Sequence, residues 1–416
     1  MKVLFIQPSS DKRGHYGVWT SKLCHALGKQ GVELTLFTNK IYPQKYLDEA
    51  PLFKIIEYKN GAYSFDKFDE AMKKKPWFYW YGYFRNTFVI VNAALKLCET
   101  EQFDAIFLTD VEYLTASILL KLHRKPMPPI IWHVQAANFT YETYCGSIFK
   151  KSYKVFQRFI FKSVLGKEIK GFAVLGEFHR DKLREQLKLP SEFPIQIIPD
   201  GTDTNNCLVE KAFARTALNI DKNKTVFLFL GMLRKDKGIE YLIEAASLVT
   251  STNFKIVIAG AEFEWGKQAL EQLIQKYGVQ NLVDLRVGYV SDADLANYYN
   301  ACDAVIFPYS SDYTGSCGPL AKGACSFAKP AIVTNVADLA RVVTKHQFGL
   351  VAERENPSSL AKSMENFLHL SDAQKQTMTE NSKHMAQLHS WHNVSEILIN
   401  YLQQMHHQTQ NEVIKI

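Results

Sequence analysis

Short, unbroken apolar runs alternate along the chain with stretches whose apolar positions recur every three or four residues. KVLFI (Lys2 to Ile6), VELTLF (Val32 to Phe37), AIFLT (Ala105 to Thr109), IIWHV (Ile130 to Val134) and FAVL (Phe172 to Leu175) read as strands, with helical sequence beside each, as from Val18 to Lys29. A strand that is apolar throughout is covered on both faces, which predicts parallel sheets packed between helices. After a polar interval the design restarts with TVFLFL (Thr225 to Leu230), FKIVIA (Phe254 to Ala259), AVIFP (Ala304 to Pro308) and AIVT (Ala331 to Thr334). The pattern predicts an α/β chain of two tandem, Rossmann-like, doubly wound parallel-sheet domains. The chain's 416 residues fit two domains of roughly 200 residues each. The polar residues between Asp203 and Lys224 mark the boundary, giving domains 1–204 and 205–387.

Two segments break the rhythm. Between Tyr42 and Asn86 lie Lys73, Lys74 and Lys75, followed by the aromatic run WFYWYGYF (Trp77 to Phe84). From Ile148 to Lys167 the chain reads IFKKSYKVFQRFIFKSVLGK, and helical spacing puts Phe149, Tyr153, Phe156, Ile160 and Val164 on one face with lysines alongside. Two readings stand: a domain-packing helix with a solvated basic edge, or a patch that meets an anionic membrane or a lipid acceptor.

Composition narrows the picture little. Hydrophobic residues make up 47% and charged residues 22%, as in an ordinary globular enzyme. The net charge of +7 suits an anionic ligand such as a diphosphate or a phospholipid surface. No nucleic-acid-binding motif accompanies it, so nucleic acid is not expected as a partner. The seven cysteines are scattered without a CxxC, which argues against a disulfide framework or zinc site and for a reducing compartment. The N-terminal run Met1 to Pro8 reads as a first strand rather than a signal peptide, and no run approaches the ~20 apolar residues of a membrane span. The expectation is a cytoplasmic protein, soluble or peripheral at the inner membrane face.

Three loops at strand ends can carry chemistry. SSDKRGHYG (Ser9 to Gly17) follows the first strand, and Gly14 and Gly17 permit a tight turn and close ligand approach, although ordinary turns use glycines too. GMLRKDKG (Gly231 to Gly238) follows the first strand of the second domain and opens the helical stretch IEYLIEAASLV. There Arg234 and Lys237, three residues apart, can face one anion beside free backbone amides, or form a merely solvated basic turn. In PYSSDYTGSCGPLAKGACSFAKPAIVT (Pro308 to Thr334), the small residues Gly315, Ser316, Cys317 and Gly318 precede Pro319, a suitable first helical residue. A helix predicted to run to Phe327 would aim its amides and dipole at the same anion; a structural loop is the alternative. His133 stands at the ligand edge of the first sheet, where it can hydrogen-bond a sugar hydroxyl.

These motifs, in this order, resemble glycosyltransferase family 4, retaining enzymes of the GT-B fold, over nearly the whole chain. MKVLFIQPSSDKRGHYG resembles the family's first strand and acceptor-side loop, and FAVLGEFHRDKLRE (Phe172 to Glu185) its "vSefhrdkL" segment. IIPDGTD (Ile197 to Asp203) is similar to "IPnGvD", and GMLRKDKG to "GxIRxxKG". SWHNVSEILINYL (Ser390 to Leu402) resembles the C-terminal helix that crosses back to the first domain, here about 388–406.

The resemblance implies two domains facing a deep cleft. It implies a nucleotide-diphosphate-sugar donor, UDP- or GDP-linked, held mainly by the second domain, and a saccharide, lipid-linked or small-molecule acceptor held by the first. It implies transfer with retention and without metal or other cofactor: Arg234 and Lys237 neutralise the leaving diphosphate, which helps take the acceptor proton, while His133 contacts the donor sugar. Gly14, Gly231, Asp312, Gly315, Ser316, Cys317, Gly318 and Leu320 fall on donor-binding positions, and His15 and Tyr16 on the acceptor side.

One departure stands out. Many members carry two glutamates about two helical turns apart in the third loop. Counting back from Lys329 and Pro330, those positions are Gly315 and Gly323, with Asp312 nearby as a substitute for the first acid. SCGPLAKG resembles a branch reading "SGxL", in which backbone amides do more of the donor binding. The missing acids keep two alternatives open: a non-catalytic GT-B protein that binds a nucleotide or partner, and another GT-B enzyme such as a sugar-nucleotide epimerase or sugar-phosphate synthase.

Overall fold

The unbroken apolar strands have the two-sided burial their composition requires. Along β1 (Lys2–Gln7), Leu4 and Ile6 enter one core while Val3 and Phe5 enter another on the opposite face of the same sheet. This computed structural model of the protein describes residues 1–11, 16–40, 49–62, 77–135, 137–139, 148–204 and 209–414. The chain divides into two compact units, residues 1–199 with 391–416, and residues 200–390.

In the first unit β1 is followed by α1 (Tyr16–Lys29), β2 (Glu33–Thr38), β3 (Lys54–Glu57), α2 (Trp77–Leu97), β4 (Ala105–Thr109) and α3 (Tyr113–Leu122). Then come β5 (Ile130–Val134), α4 (Ile148–Lys162), β6 (Ile169–Val174), α5 (Glu177–Leu187) and β7 (Ile195–Ile197). The strands form one parallel sheet in the order β3-β2-β1-β4-β5-β6-β7. The order reverses between β1 and β4, and a ligand crevice opens at the carboxyl ends of strands beside such a reversal.

The second unit repeats the plan with α6 (Lys211–Ala217), β8 (Thr225–Leu230), α7 (Ile239–Leu248), β9 (Phe254–Gly260), α8 (Lys267–Lys276), β10 (Val283–Val287) and α9 (Asp292–Ala301). It continues through β11 (Ala304–Phe307), β12 (Ala331–Thr334), α10 (Leu339–His346), β13 (Gly349–Ala352), α11 (Pro357–His369) and α12 (Asp372–Leu388). Its parallel sheet runs β10-β9-β8-β11-β12-β13, with the reversal between β8 and β11. The last helix, α13 (Trp391–Ile414), belongs to the first unit. There Val394, Leu398 and Leu402 are buried with Trp19 and Leu23 of α1, and Gln30 Nε2 donates to the His392 carbonyl at 2.8 Å.

The four strands that periodicity did not announce, β3, β7, β10 and β13, are the four sheet edges. An edge strand pairs on one side only and carries polar residues, such as Lys54 and Glu57 in β3 and Asp284 and Arg286 in β10, so its apolar signal is broken. The stripe expected on the second aromatic-basic segment is also split. Val164 is buried and Tyr153 half-buried, but Phe156 is 51% exposed, because the helix turns Tyr153, Gln157 and Phe161 inward instead. The Phe149 side chain lies outside the described residues, as do Lys73, Lys74 and Lys75.

Candidate functional site

In the second unit both basic and small-residue loops leave the sheet at its reversal point, one after β8 and one after β11. Gly231 N donates to Ala259 O at 3.0 Å, and the fully buried Leu233 anchors the loop beneath Arg234. Residues Lys235–Lys237 make a 3-10 turn ending in Gly238, whose φ is 61°. A Cβ on Gly238 would lie 2.0 Å from the Pro308 carbonyl oxygen, so only glycine lets α7 start this close to the end of β11. Ser310 N donates to Asp236 O at 3.1 Å and ties the two loops together.

That tie brings charge and aromatic faces into one place. Arg234 Nη2 donates to Asp236 Oδ2 at 2.5 Å. Lys237 Nζ lies 3.7 Å from the centre of the Tyr309 ring and 4.4 Å from that of Tyr313. Ring faces attract a cation but cannot replace its water shell. Burial pulls the Lys237 ammonium down to about 7, the Arg234 charge pushes the same way, and Asp236 opposes both. A lysine this close to losing its proton gains most when an anion enters.

Beyond Tyr313 the loop is organised by Asp200, a buried residue at the start of the unit that sequence reasoning quoted in IIPDGTD but gave no role. Asp200 Oδ2 accepts from Ser316 Oγ at 2.5 Å, Oδ1 meets Lys322 Nζ at 3.4 Å, and Ser316 Oγ in turn accepts from Gly318 N at 3.1 Å. Tyr313 Oη donates to Ser316 O at 2.7 Å. Cys317 is a free thiol held well above its usual range by burial, and the Leu320 side chain is fully buried, so Leu320 can offer a ligand only its backbone. The regular α-helix expected up to Phe327 is not formed. After Gly318 and Pro319 the chain widens into a π-helical stretch, Leu320–Ala324, and closes with a 3-10 turn, Cys325–Phe327. The Gly318 amide is already bound by Ser316, so the row of free amides expected there is shortened.

The two glycines at the acidic positions have a steric reason. A Cβ on Gly315 would fall 2.5 Å from Tyr313 Oη, and one on Gly323 would fall 2.4 Å from Tyr299 Oη. Tyr299 is buried and stacked on Phe327 at 4.7 Å, so its ring has no easy retreat. Tyr313 and Tyr299 stand against the two positions where the resemblance would place glutamates. Asp312, nearby in the same loop, is exposed and makes no ion pair with Arg234 or Lys237.

In the first unit His133 is the last residue but one of β5, 1% exposed, with Nδ1 2.9 Å from Thr109 Oγ1. Its ring stacks on Trp19 at 4.7 Å and 7°, which fixes its plane. His133 lines a cavity of about 520 Å³. Trp80, Tyr83 and Phe84 of α2 and Tyr153, Lys154 and Gln157 of α4 line it too, so both aromatic-basic segments meet there. Glu112 holds the wall together: it caps α3 through Leu114 N (3.0 Å) and Thr115 N (2.7 Å) and accepts from Tyr153 Oη (2.6 Å) and Gln157 Nε2 (2.8 Å). Sequence reasoning missed Glu112, because glutamate is not a usual N-cap residue and its partners Tyr153 and Gln157 lie 41 and 45 positions away. Gly14, His15 and the Tyr16 side chain lie outside the described residues.

Residues 210–385 match the family model of glycosyl transferases group 1. An uncharacterized glycosyltransferase of Methanocaldococcus jannaschii is 27% identical over 49% of this chain and 51% of its own length. The chain spans about half the length of the curated relatives it matches. Among solved structures, sucrose-phosphate synthase of Thermosynechococcus elongatus superposes with a TM-score of 0.68 at 18% identity, covering 97% of this chain and 99% of that one. HepE of Anabaena, solved in complex with UDP, superposes with a TM-score of 0.69 at 16% identity over 97% of this chain and all of its own. The chain thus has the GT-B fold, and residues 210–385 of its second unit are similar to the group 1 glycosyl transferases.

Proposed function

We propose that the chain is a retaining glycosyltransferase that takes a sugar from a UDP- or GDP-sugar and passes it to a saccharide, lipid-linked or small-molecule acceptor. The observation that carries this reading is Lys237, held on the Tyr309 and Tyr313 rings, close to the Arg234–Asp236 pair at the reversal point of the second sheet. Two cations held there suit a leaving diphosphate and supply the positive charge that a divalent metal supplies elsewhere. In this reading the second unit holds the donor and the first the acceptor, His133 fixes a sugar hydroxyl, and the released diphosphate accepts the acceptor's proton. The UDP complex of the Anabaena neighbour supports the choice of nucleotide class.

The test is incubation with UDP- and GDP-sugars in the presence of a chelator, following release of free diphosphate and reading the product's anomeric configuration by NMR. The expected result is chelator-insensitive turnover with retention; an absolute need for added magnesium or manganese would remove the metal-free mechanism. Gly315 and Gly323 favour one rival, a protein that binds nucleotides without catalysis. It predicts binding with no release of diphosphate from any donor.

Lys237 adds a pH signature. Its folded-state value, about 7, lies below the usual lysine value of 10.5, so between those limits the unliganded protein holds the lysine neutral while the unfolded chain binds the proton. Stability from this group is therefore lost below about pH 7 and grows as pH rises through that window. A bound diphosphate restores the charge. Diphosphate binding at pH 8 should take up a proton, and affinity should fall as pH rises above 7. Calorimetry in Tris and in HEPES, which differ in ionisation heat, reads the uptake; equal heats in both would exclude it.

A further inference from the structure

The residue that leaves β4 has an unusual backbone. Asp110 follows Thr109 directly, is half-buried, and takes a left-handed conformation with φ 49°. Aspartate is among the few side chains often found in that region, and such positions cluster where a side chain is placed for a task. Thr109 pairs in register with His133 of β5 and bonds its ring, so Asp110 and His133 reach one cavity from the carboxyl ends of adjacent strands.

The rest of that cavity combines two kinds of surface. Trp80 and Tyr83 of α2 line it with rings set at 68° and 6.3 Å between centres, and Trp80 is 48% exposed. The face of such a ring carries partial negative charge, which suits the C–H face of a sugar ring. Gln135 and Asn138 add side-chain amides, which both donate to and accept from hydroxyl groups. Glu112 and Lys154 serve the wall. Glu112 Oε1 accepts from Tyr153 Oη and Gln157 Nε2, and Oε2 accepts from Thr115 N and Oγ1. The Lys154 ammonium donates to Asn138 O at 2.7 Å and to Gln157 Oε1 at 3.0 Å, and burial pulls it below the usual lysine value. Apart from His133, the charged groups among the described lining residues are the carboxylates of Asp110 and Glu112 and this ammonium. An anion gains nothing from that balance. A neutral group rich in hydroxyls does, because a carboxylate accepts strong, charge-assisted hydrogen bonds. The volume of about 520 Å³ is that of a small-molecule site.

We propose that this cavity binds an uncharged sugar unit, stacked on Trp80 and Tyr83 with its hydroxyls on Asp110, Gln135 and Asn138, and that Asp110 selects it over sugars carrying a carboxylate or phosphate. That this sugar is the acceptor rests on the glycosyl-transfer reading; the binding does not. Saturation-transfer NMR and tryptophan fluorescence on the intact chain, without nucleotide, test it. The probes are the methyl glycosides of glucose, galactose, mannose and N-acetylglucosamine, each against its uronate or 6-phosphate. At least one neutral glycoside should bind, with its charged partner about tenfold or more weaker, as a like charge nearby dictates. Trp80→Ala should weaken the neutral sugar by about tenfold with the melting temperature unchanged. Asparagine tolerates the left-handed backbone as aspartate does, so Asp110→Asn should stay folded while the preference for the neutral sugar falls toward one. That preference is a ratio within one protein, so a change in stability alone does not move it. Binding of no neutral glycoside, a charged partner that binds wild type as tightly, a neutral sugar held equally by Trp80→Ala, or a preference unchanged in Asp110→Asn overturns the assignment. Failure of nucleoside diphosphates to bind would sink the transferase reading and leave these results standing.

Discussion

Alanine at Lys237 or at Arg234 is expected to lower turnover with a nucleotide-sugar by roughly a hundredfold or more while the protein stays folded. Neither side chain supports the core. Arg234 is partly exposed and paired with Asp236, and Lys237 lies against the Tyr309 and Tyr313 rings. What each supplies is positive charge where negative charge develops on the leaving diphosphate. In a partly desolvated site that charge is worth more than in water, and Lys237, packed on the Tyr309 and Tyr313 rings, stands in such a site. The loss should fall on the chemical step, so kcat should drop at saturating donor. Lys237→Arg separates charge from shape: it keeps the cation but not the compact fit between the two rings, and should recover part of the activity. Wild-type turnover in both alanine variants would end the assignment.

Restoring the acids at 315 and 323 should damage the protein rather than improve it. Gly323→Glu drives a side chain into the buried Tyr299 ring, which is held by Phe327. Overpacking there should cost about 1–3 kcal/mol or more. The check is thermal unfolding, with Tyr299→Ala added as the second arm. If Tyr299 is the obstacle, the double variant should be more stable than Gly323→Glu alone, a coupling that distant sites do not show. A Gly323→Glu protein as stable as wild type would mean that the glutamate's space was never filled. Gly315→Glu meets Tyr313 in the same way, and because Tyr313 also faces Lys237, that variant should lose donor binding along with stability.

The central strands were legible because burial on both faces writes an unbroken apolar run; β1, β4, β5, β8 and β11 are of this kind. The edge strands were not, since one-sided pairing leaves polar residues along them. Arg234 and Lys237 were readable from glycine and charge at a strand-to-helix turn. Their surroundings were not readable: that Lys237 would rest on Tyr309 and Tyr313 depends on Ser310 N tying the loops to Asp236 O, a contact across 74 positions that no local pattern records. Asp200 and Glu112 escaped for the same reason, because each acts through partners far along the chain. The π-helical turn after Pro319 was hidden too, since Gly323 signals only freedom and not the Tyr299 ring that uses it.

The central claim is that the second unit holds a nucleoside diphosphate through Arg234 and Lys237. The most direct measurement is thermal unfolding of wild type and of the Arg234→Ala, Lys237→Ala double variant with UDP, GDP and ADP, all in chelator. Ligand at a hundred times its dissociation constant adds about 2.7 kcal/mol. The account predicts a selective rise in melting temperature for one nucleotide in wild type and none in the double variant. An equal rise in both proteins, or no rise with any nucleotide in a folded wild type, would contradict it.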